Sequence, residues 1–167
     1  PMVVGKMMLN VEKETVALET SLAKIDFEDR KLFLLKAEGP GSTVGRPADG
    51  LEKIMSENKI DAIIMIDAAL KMEGEDSASI SQGFGAAIGG IGTERFQIEA
   101  VATTNNIPIF SIVVKQSVKE AITLMTKDIA DTAELVRLQV NEMIIENTKP
   151  GQSVVIIGVG NTSGVPQ

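Results

Sequence analysis

The sequence has no cysteine, no histidine, no tryptophan and no tyrosine, and only five phenylalanines. Without cysteine there are no disulfides, thiolate nucleophiles or iron–sulfur ligands. Without histidine the commonest general base and the commonest metal ligand are gone. Any chemistry falls to Asp, Glu, Lys, Arg, Ser, Thr and backbone groups. Excess positive charge is lacking too: the formal net charge is −7. With no basic stripe and few aromatic rings, nucleic acid is excluded as an expected partner. No apolar run approaches the ~20 residues a membrane helix needs, so no span is expected in this chain. No leader pattern opens the sequence, and a cytoplasmic location is expected. The first residue is Pro1 rather than Met. That points to a fragment or processed product, and leaves open what precedes it, a membrane anchor included.

What is present is an ordinary globular balance, 44% hydrophobic and 23% charged residues over 167 positions. Such a length fits one α/β domain spanning residues 1–167. Apolar residues at Val3, Val4, Met7, Met8 and Val11 predict an amphipathic helix over 2–13. Alternation through Val16, Leu18 and Leu22 predicts a strand over 15–24, and KLFLLKA a second over 31–37, joined as a β-hairpin through FEDR. GPGSTVGRPADG (39–50) reads as a glycine-rich loop leading into a helix from Leu51. Continuous apolar runs at Ala62–Ile66, Ile107–Val114 and Ser153–Ile157 predict strands covered on both faces. Helices are expected over 93–104, 117–125 and 126–147, the last with Ile129, Ala133, Val136, Val140, Met143 and Ile144 on one stripe. The small-residue segment 77–92 reads as an ordered loop with a short strand or helical turn, and its apolar part at 83–91 as an oligomer contact.

This alternation predicts an α/β fold: a three-layer, mostly parallel sheet flanked by helices, with an amino-terminal helix and hairpin. Parallel strands bring their carboxyl ends to one edge, where open α/β sheets keep their sites. On that edge the sequence places residues 39–49, Asp67, Lys115 and 158–161. Asp67, at the end of the Ala62–Ile66 run, is either a local backbone cap or a working carboxylate. Asp49 is its candidate partner. Two close carboxylates share a proton, so that one activates water while the other protonates a leaving group. The loop residues Gly41, Ser42, Thr43 and Arg46, with Lys115 and Asn161, are candidates for holding an anion or small ligand. Neither nucleotide-binding glycine fingerprint is matched. A divalent cation, Mg²⁺ or Mn²⁺, held by Asp67 and Glu73 with Asp49 nearby, is the third use of these acids, since only hard oxygen ligands are available.

Some of these segments resemble known families. DAIIMIDAA, SASISQGFGAAIGGIG and NIPIFSIVVKQSVKEAITL, with the loop GPGSTVGRPADG, resemble the central part of the spore germination endopeptidases. Those share a fold with the hydrogenase maturation proteases. That resemblance implies a phosphorylase/hydrolase-like fold and a peptidase acting through Asp67, which matches the second aspartate of the germination family, and through Asp49, one residue out of register with the first. More closely, GPGSTVGRP, IDAALKMEGE and GAAIGGIGTE make the chain resemble the carboxyl-terminal part of an uncharacterised archaeal family, which implies no activity. The expectations are therefore a carboxylate-dependent, aspartic-type hydrolase acting on peptide. The alternatives are a non-catalytic domain binding an anion or small ligand, and an oligomerisation module; in each case a homo-oligomer is expected.

Overall fold

The computed structural model describes residues 1–38, 45–85 and 93–160. The chain opens with a short helix, α1 (Met2–Met7), followed by β1 (Lys13–Ala17), β2 (Thr20–Phe27) and β3 (Arg30–Ala37). Then come α2 (Pro47–Glu57), β4 (Ala62–Leu70), β5 (Ile80–Phe84), α3 (Thr93–Thr104), β6 (Ile109–Gln116), α4 (Val118–Ile122), α5 (Lys127–Asn147) and β7 (Ser153–Gly158). The seven strands form one sheet in the order β1-β2-β3-β7-β4-β6-β5.

The sheet is mixed rather than mostly parallel. The central strands β3, β7, β4 and β6 run parallel, while β1, β2 and β5 pair antiparallel at the two sides. The expected hairpin is a three-stranded meander. The alternation from Val16 to Leu22 reads as one strand, but Glu19 takes a left-handed backbone (φ 45°) and folds it into two. No glycine marks that turn. The FEDR turn is as expected: Glu28 and Asp29 both have positive φ (47° and 59°), the two-residue geometry whose twist matches the flanking strands. The amino-terminal helix ends at Met7, and Asn10, also left-handed (φ 61°), turns the chain toward β1.

The strand alternation divides the core into two. Leu32, Leu34, Ile64, Ile66, Ile112, Val154 and Ile156 pack with α1 and α5. Phe33, Leu35, Ile63, Met65, Val155 and Ile157 pack with α2 and α3. The period-3.6 stripe on α5, from Ile129 to Ile144, is buried as predicted. Arg30, itself buried, fastens the β2–β3 turn to the end of α5: its Nε donates to Thr148 Oγ1 (2.8 Å) and its Nη2 to the Thr148 carbonyl (2.9 Å).

Two connections position the site. After β4 the chain crosses to the antiparallel edge strand β5, beyond β6, and only then enters α3 on one face; after β6 it passes through α4 to α5 on the other. β4 and β6 are hydrogen-bonded neighbours. Their carboxyl ends therefore lie together on the edge where open α/β sheets keep their sites.

Candidate functional site at the carboxyl edge of the parallel strands

Asp67 lies inside β4, not after it, because the strand runs on to Leu70. Its residue is only 3% exposed. The carboxylate turns back on its own strand, where Oδ1 accepts from the Ala68 N–H (2.7 Å). Oδ2 is ion-paired with Arg95 Nη2, which reaches down from the first turn of α3. Burial pushes the Asp67 carboxyl above its ordinary value, and the Arg95 charge and the Ala68 N–H draw it back only in part. The Arg95 side chain keeps some contact with solvent, at 18% exposure. Arg95 also approaches the Ala68 carbonyl, at 3.4 Å.

The neighbouring strand completes this cradle. Val159, just past β7, donates its N–H to the Ile66 carbonyl (2.9 Å). Gly160 follows with φ 75°, and a Cβ placed there would collide with Asp67 Oδ1 and lie 2.9 Å from the Ala68 nitrogen. Glycine is needed at this position for its backbone and for the space. On the α1/α5 side lies a small cavity of about 60 Å³, lined by Ala68, Val114, Gln116, Met125, Ile129 and Gly160 among others. It has room for roughly four waters.

A second polar cluster stands two strands away. Lys36, on β3, is aligned across the sheet with Gly158, and Gly158 with Ile66. Lys36 is buried; its ammonium meets Glu38 Oε2 at 2.5 Å, and Glu38 Oε1 accepts from the hydroxyl of Ser21 on β2. Burial would raise the Glu38 carboxyl, but Lys36 and Ser21 more than offset it, so it sits below its ordinary value.

The other sequence-predicted residues fall out as follows. Asp49 is in the first turn of α2, which begins at Pro47 rather than Leu51, and is ion-paired with Arg46 (3.0 Å); both side chains are about half exposed. Asp49 and Asp67 are not brought together as a pair: each carboxylate has its own arginine. Arg46 is thus engaged with Asp49, and its N–H bonds the Leu18 carbonyl (3.0 Å). The start of α2 does hold a carboxylate, but from within the molecule: Glu94 Oε2 accepts from the Ala48 N–H at 3.2 Å. Lys115 lies within β6, two register positions beyond the partner of Asp67, and its ammonium is ion-paired with Glu75. Glu75 also accepts from the Met72 N–H (2.8 Å), so Lys115 pins the connection after β4. Glu73, on that connection, is exposed and is not gathered with Asp67. Among the described residues no group of three or more acids assembles as a metal ion requires. Gly41, Ser42, Thr43 and Asn161 lie outside the described residues.

Sequence reading missed Arg95, Gly160 and the Lys36–Glu38–Ser21 cluster. Arg95 carries a usable signal, an arginine in the first turn of a helix that follows a glycine-rich segment. Lys36 looks like an ordinary polar position in a strand, and α1 covers it: a Cβ at Gly5 would lie 3.3 Å from Lys36 Cε, and one at Gly158 2.7 Å from Val4 Cγ2.

Fold and site together define an α/β domain with a buried aspartate–arginine pair at the carboxyl edge of its parallel strands. By sequence, the chain belongs to the family described as domain of unknown function (DUF1512), C-terminal, whose model matches residues 1–166. This is the resemblance to an uncharacterised family that the segments near 39–47, 66–75 and 85–94 carry. No curated protein and no solved structure matches the chain. No described helix is long and apolar enough to cross a membrane.

Proposed function

We propose that the domain binds a small anionic ligand at Arg95, and that the ligand's anionic group takes the place of the Asp67 carboxylate. The observation that carries this reading is the pair itself: a buried carboxylate with a raised proton affinity, opposed by an arginine side chain that keeps some exposure to solvent. A buried ion pair stabilises little, because desolvation offsets the Coulomb attraction. A pair with perturbed proton affinity at the carboxyl edge of a sheet is instead a candidate functional group. When an anion takes the guanidinium, Asp67 loses its counter-charge and its pKa rises further, so it takes up a proton and remains buried as a neutral acid. Ligand binding is therefore coupled to proton uptake. The α3 amino terminus lies on the same edge and favours an anion there, whereas the Lys115 ammonium is taken by Glu75.

The test is calorimetric titration with inorganic phosphate, small mono- and dicarboxylates and nucleoside phosphates, in buffers of different ionisation enthalpy. The reading requires at least one of them to bind with net proton uptake. Absence of binding across the panel, or binding without proton exchange, overturns it. Mg²⁺ and Mn²⁺ belong in the same panel, because Asp67 and Glu73 remain the acids proposed for a cation.

A second reading, a carboxylate-dependent hydrolase of the peptidase type, is favoured by the raised Asp67 carboxyl, which suits a general acid. Asp49 would have to leave Arg46 to join it. Peptide cleavage abolished by Asp67→Asn supports that reading; the absence of cleavage, or cleavage unchanged in Asp67→Asn, removes it. The hydrolase-like, three-layer arrangement belongs to this same reading. What supports it is the division of the core into one cluster with α1 and α5 and another with α2 and α3.

A further inference from the structure

The two edges of the sheet are built differently. At one edge β1 carries Lys13 and Glu14, a register irregularity between Thr15 and Ala17, and an ion pair from Glu14 to Lys24 of β2 (3.2 Å). Charge and irregularity of this kind discourage the addition of another strand. At the other edge β5, Ile80-Ser81-Gln82-Gly83-Phe84, has no charge and no proline, and keeps unbroken register with β6 over all five residues.

The Gly85 N–H donates to the Ile109 carbonyl (2.9 Å), which fixes the phase of the β5–β6 ladder. In an antiparallel ladder inward and outward bonding alternate. Ser81 and Gly83 therefore bond toward β6, and the N–H and C=O groups of Ile80, Gln82 and Phe84 face outward. Among the described residues no backbone group pairs with them. Phe84 is 85% exposed. The surface continues onto α5, since Gln82 Nε2 donates to Gln139 Oε1 (3.0 Å), and Leu135 and Leu138 stand exposed beside that contact.

We propose that this edge is the interface of a homodimer, with β5 pairing antiparallel to β5 of a second copy across a twofold axis at Gln82. The strand is its own complement. Centred on Gln82, the outward groups of the two copies bond reciprocally, and Ile80 of one strand meets Phe84 of the other, as an isologous contact requires. Charge selects this edge for that occupant. The chain carries a net −7, which opposes contact between copies over most of their surface, whereas β5 carries no charge. Arg137 on α5 is ion-paired with Glu134 (2.5 Å).

The test is the solution mass of the 167-residue chain by light scattering and sedimentation, with the variants Gln82→Pro and Phe84→Lys. Proline at position 82 removes an outward donor and leaves the bonds to β6 intact. The wild type is expected at twice 17.8 kDa. Gln82→Pro is expected to weaken the dimer roughly tenfold or more, with two reciprocal bonds lost. Circular dichroism establishes that each variant is folded, and Phe84→Lys carries the test if the proline variant is not. A monomeric wild type, a dimer that survives both substitutions, or strand addition seen only with a segment of another protein overturns the proposal.

Discussion

The Asp67 carboxylate and the Arg95 guanidinium form an ion pair across the gap between β4 and the first turn of α3, and the aspartate side chain has no exposure to solvent. The second anchor of Asp67 is the Ala68 amide. The pair is thus both the clasp of α3 onto the sheet and the polar centre of the edge where β4, β6 and β7 end. Substitutions at the two residues separate these roles.

Arg95→Met removes the counter-charge and leaves the carboxylate buried. We expect a loss of about 3–5 kcal/mol at neutral pH, read by urea denaturation. Acid should restore much of it. A carboxyl whose folded pKa lies above its unfolded value contributes stability that is present at low pH and fades as pH rises through the folded pKa. Removing Arg95 raises that pKa further, so the deficit should shrink steadily on acidification. A deficit independent of pH contradicts the assignment.

Asp67→Asn keeps the shape and removes the buried charge. The amide oxygen can still accept from the Ala68 N–H or from Arg95, and the partly exposed guanidinium can turn to water. The cost should be about 1–2 kcal/mol, clearly below that of Arg95→Met. Thermal melts of the two variants side by side check the order. If the pair is only a clasp, the two costs should be similar.

Gly160→Ala places a methyl group on Asp67 Oδ1 at a backbone φ of 75°. The strain should cost about 1–3 kcal/mol. It should also displace the carboxylate from the Ala68 N–H, seen as a large change in that amide's chemical shift. Gly74 has a positive φ too (85°) but nothing within 4 Å of its Cβ position, so Gly74→Ala is the control for backbone strain alone.

Glu94→Ala removes the carboxylate held by the Ala48 N–H at the start of α2. A loss of about 0.5–2 kcal/mol is expected, the range of a lost helix cap. By contrast Asp49→Asn breaks only the half-exposed pair with Arg46 and should change stability by less than about 1 kcal/mol. Equal effects of the two would mean that Glu94 supports this helix start no more than Asp49 does.

Much of the fold was legible where the pattern was long and one-sided. The buried stripe on α5 from Ile129 to Ile144 and the apolar runs of β4, β6 and β7 come through because burial on one or both faces imposes them. Turns made without glycine did not: Glu19 adopts a left-handed backbone that its residue type does not announce, and Asn10, of a type that favours that region, sits within an apolar helical pattern that masked it. The site was legible in one member. Asp67 stands out as an acid closing an apolar run, but its partner lies 28 residues away in a helix of low amphipathic contrast, and α3 reaches it only after the chain has passed through β5. Asp49 was the nearer candidate along the chain, yet Arg46, three residues earlier on the same turn, holds it. Lys36 could not be read as buried, since α1 covers it through a tertiary contact at Gly5.

The most direct measurement is the chemical-shift response of the isotopically labelled chain to the anions that bind it in calorimetry, in the wild type and in Asp67→Asn. Binding at the pair should move the Asp67 carboxyl carbon to its protonated shift. It should also perturb the Ala68, Arg95 and Gly160 amides, and the carboxyl response should be absent in Asp67→Asn. Perturbations that fall elsewhere, or an Asp67 carboxyl that stays ionised in the saturated complex, would contradict the account.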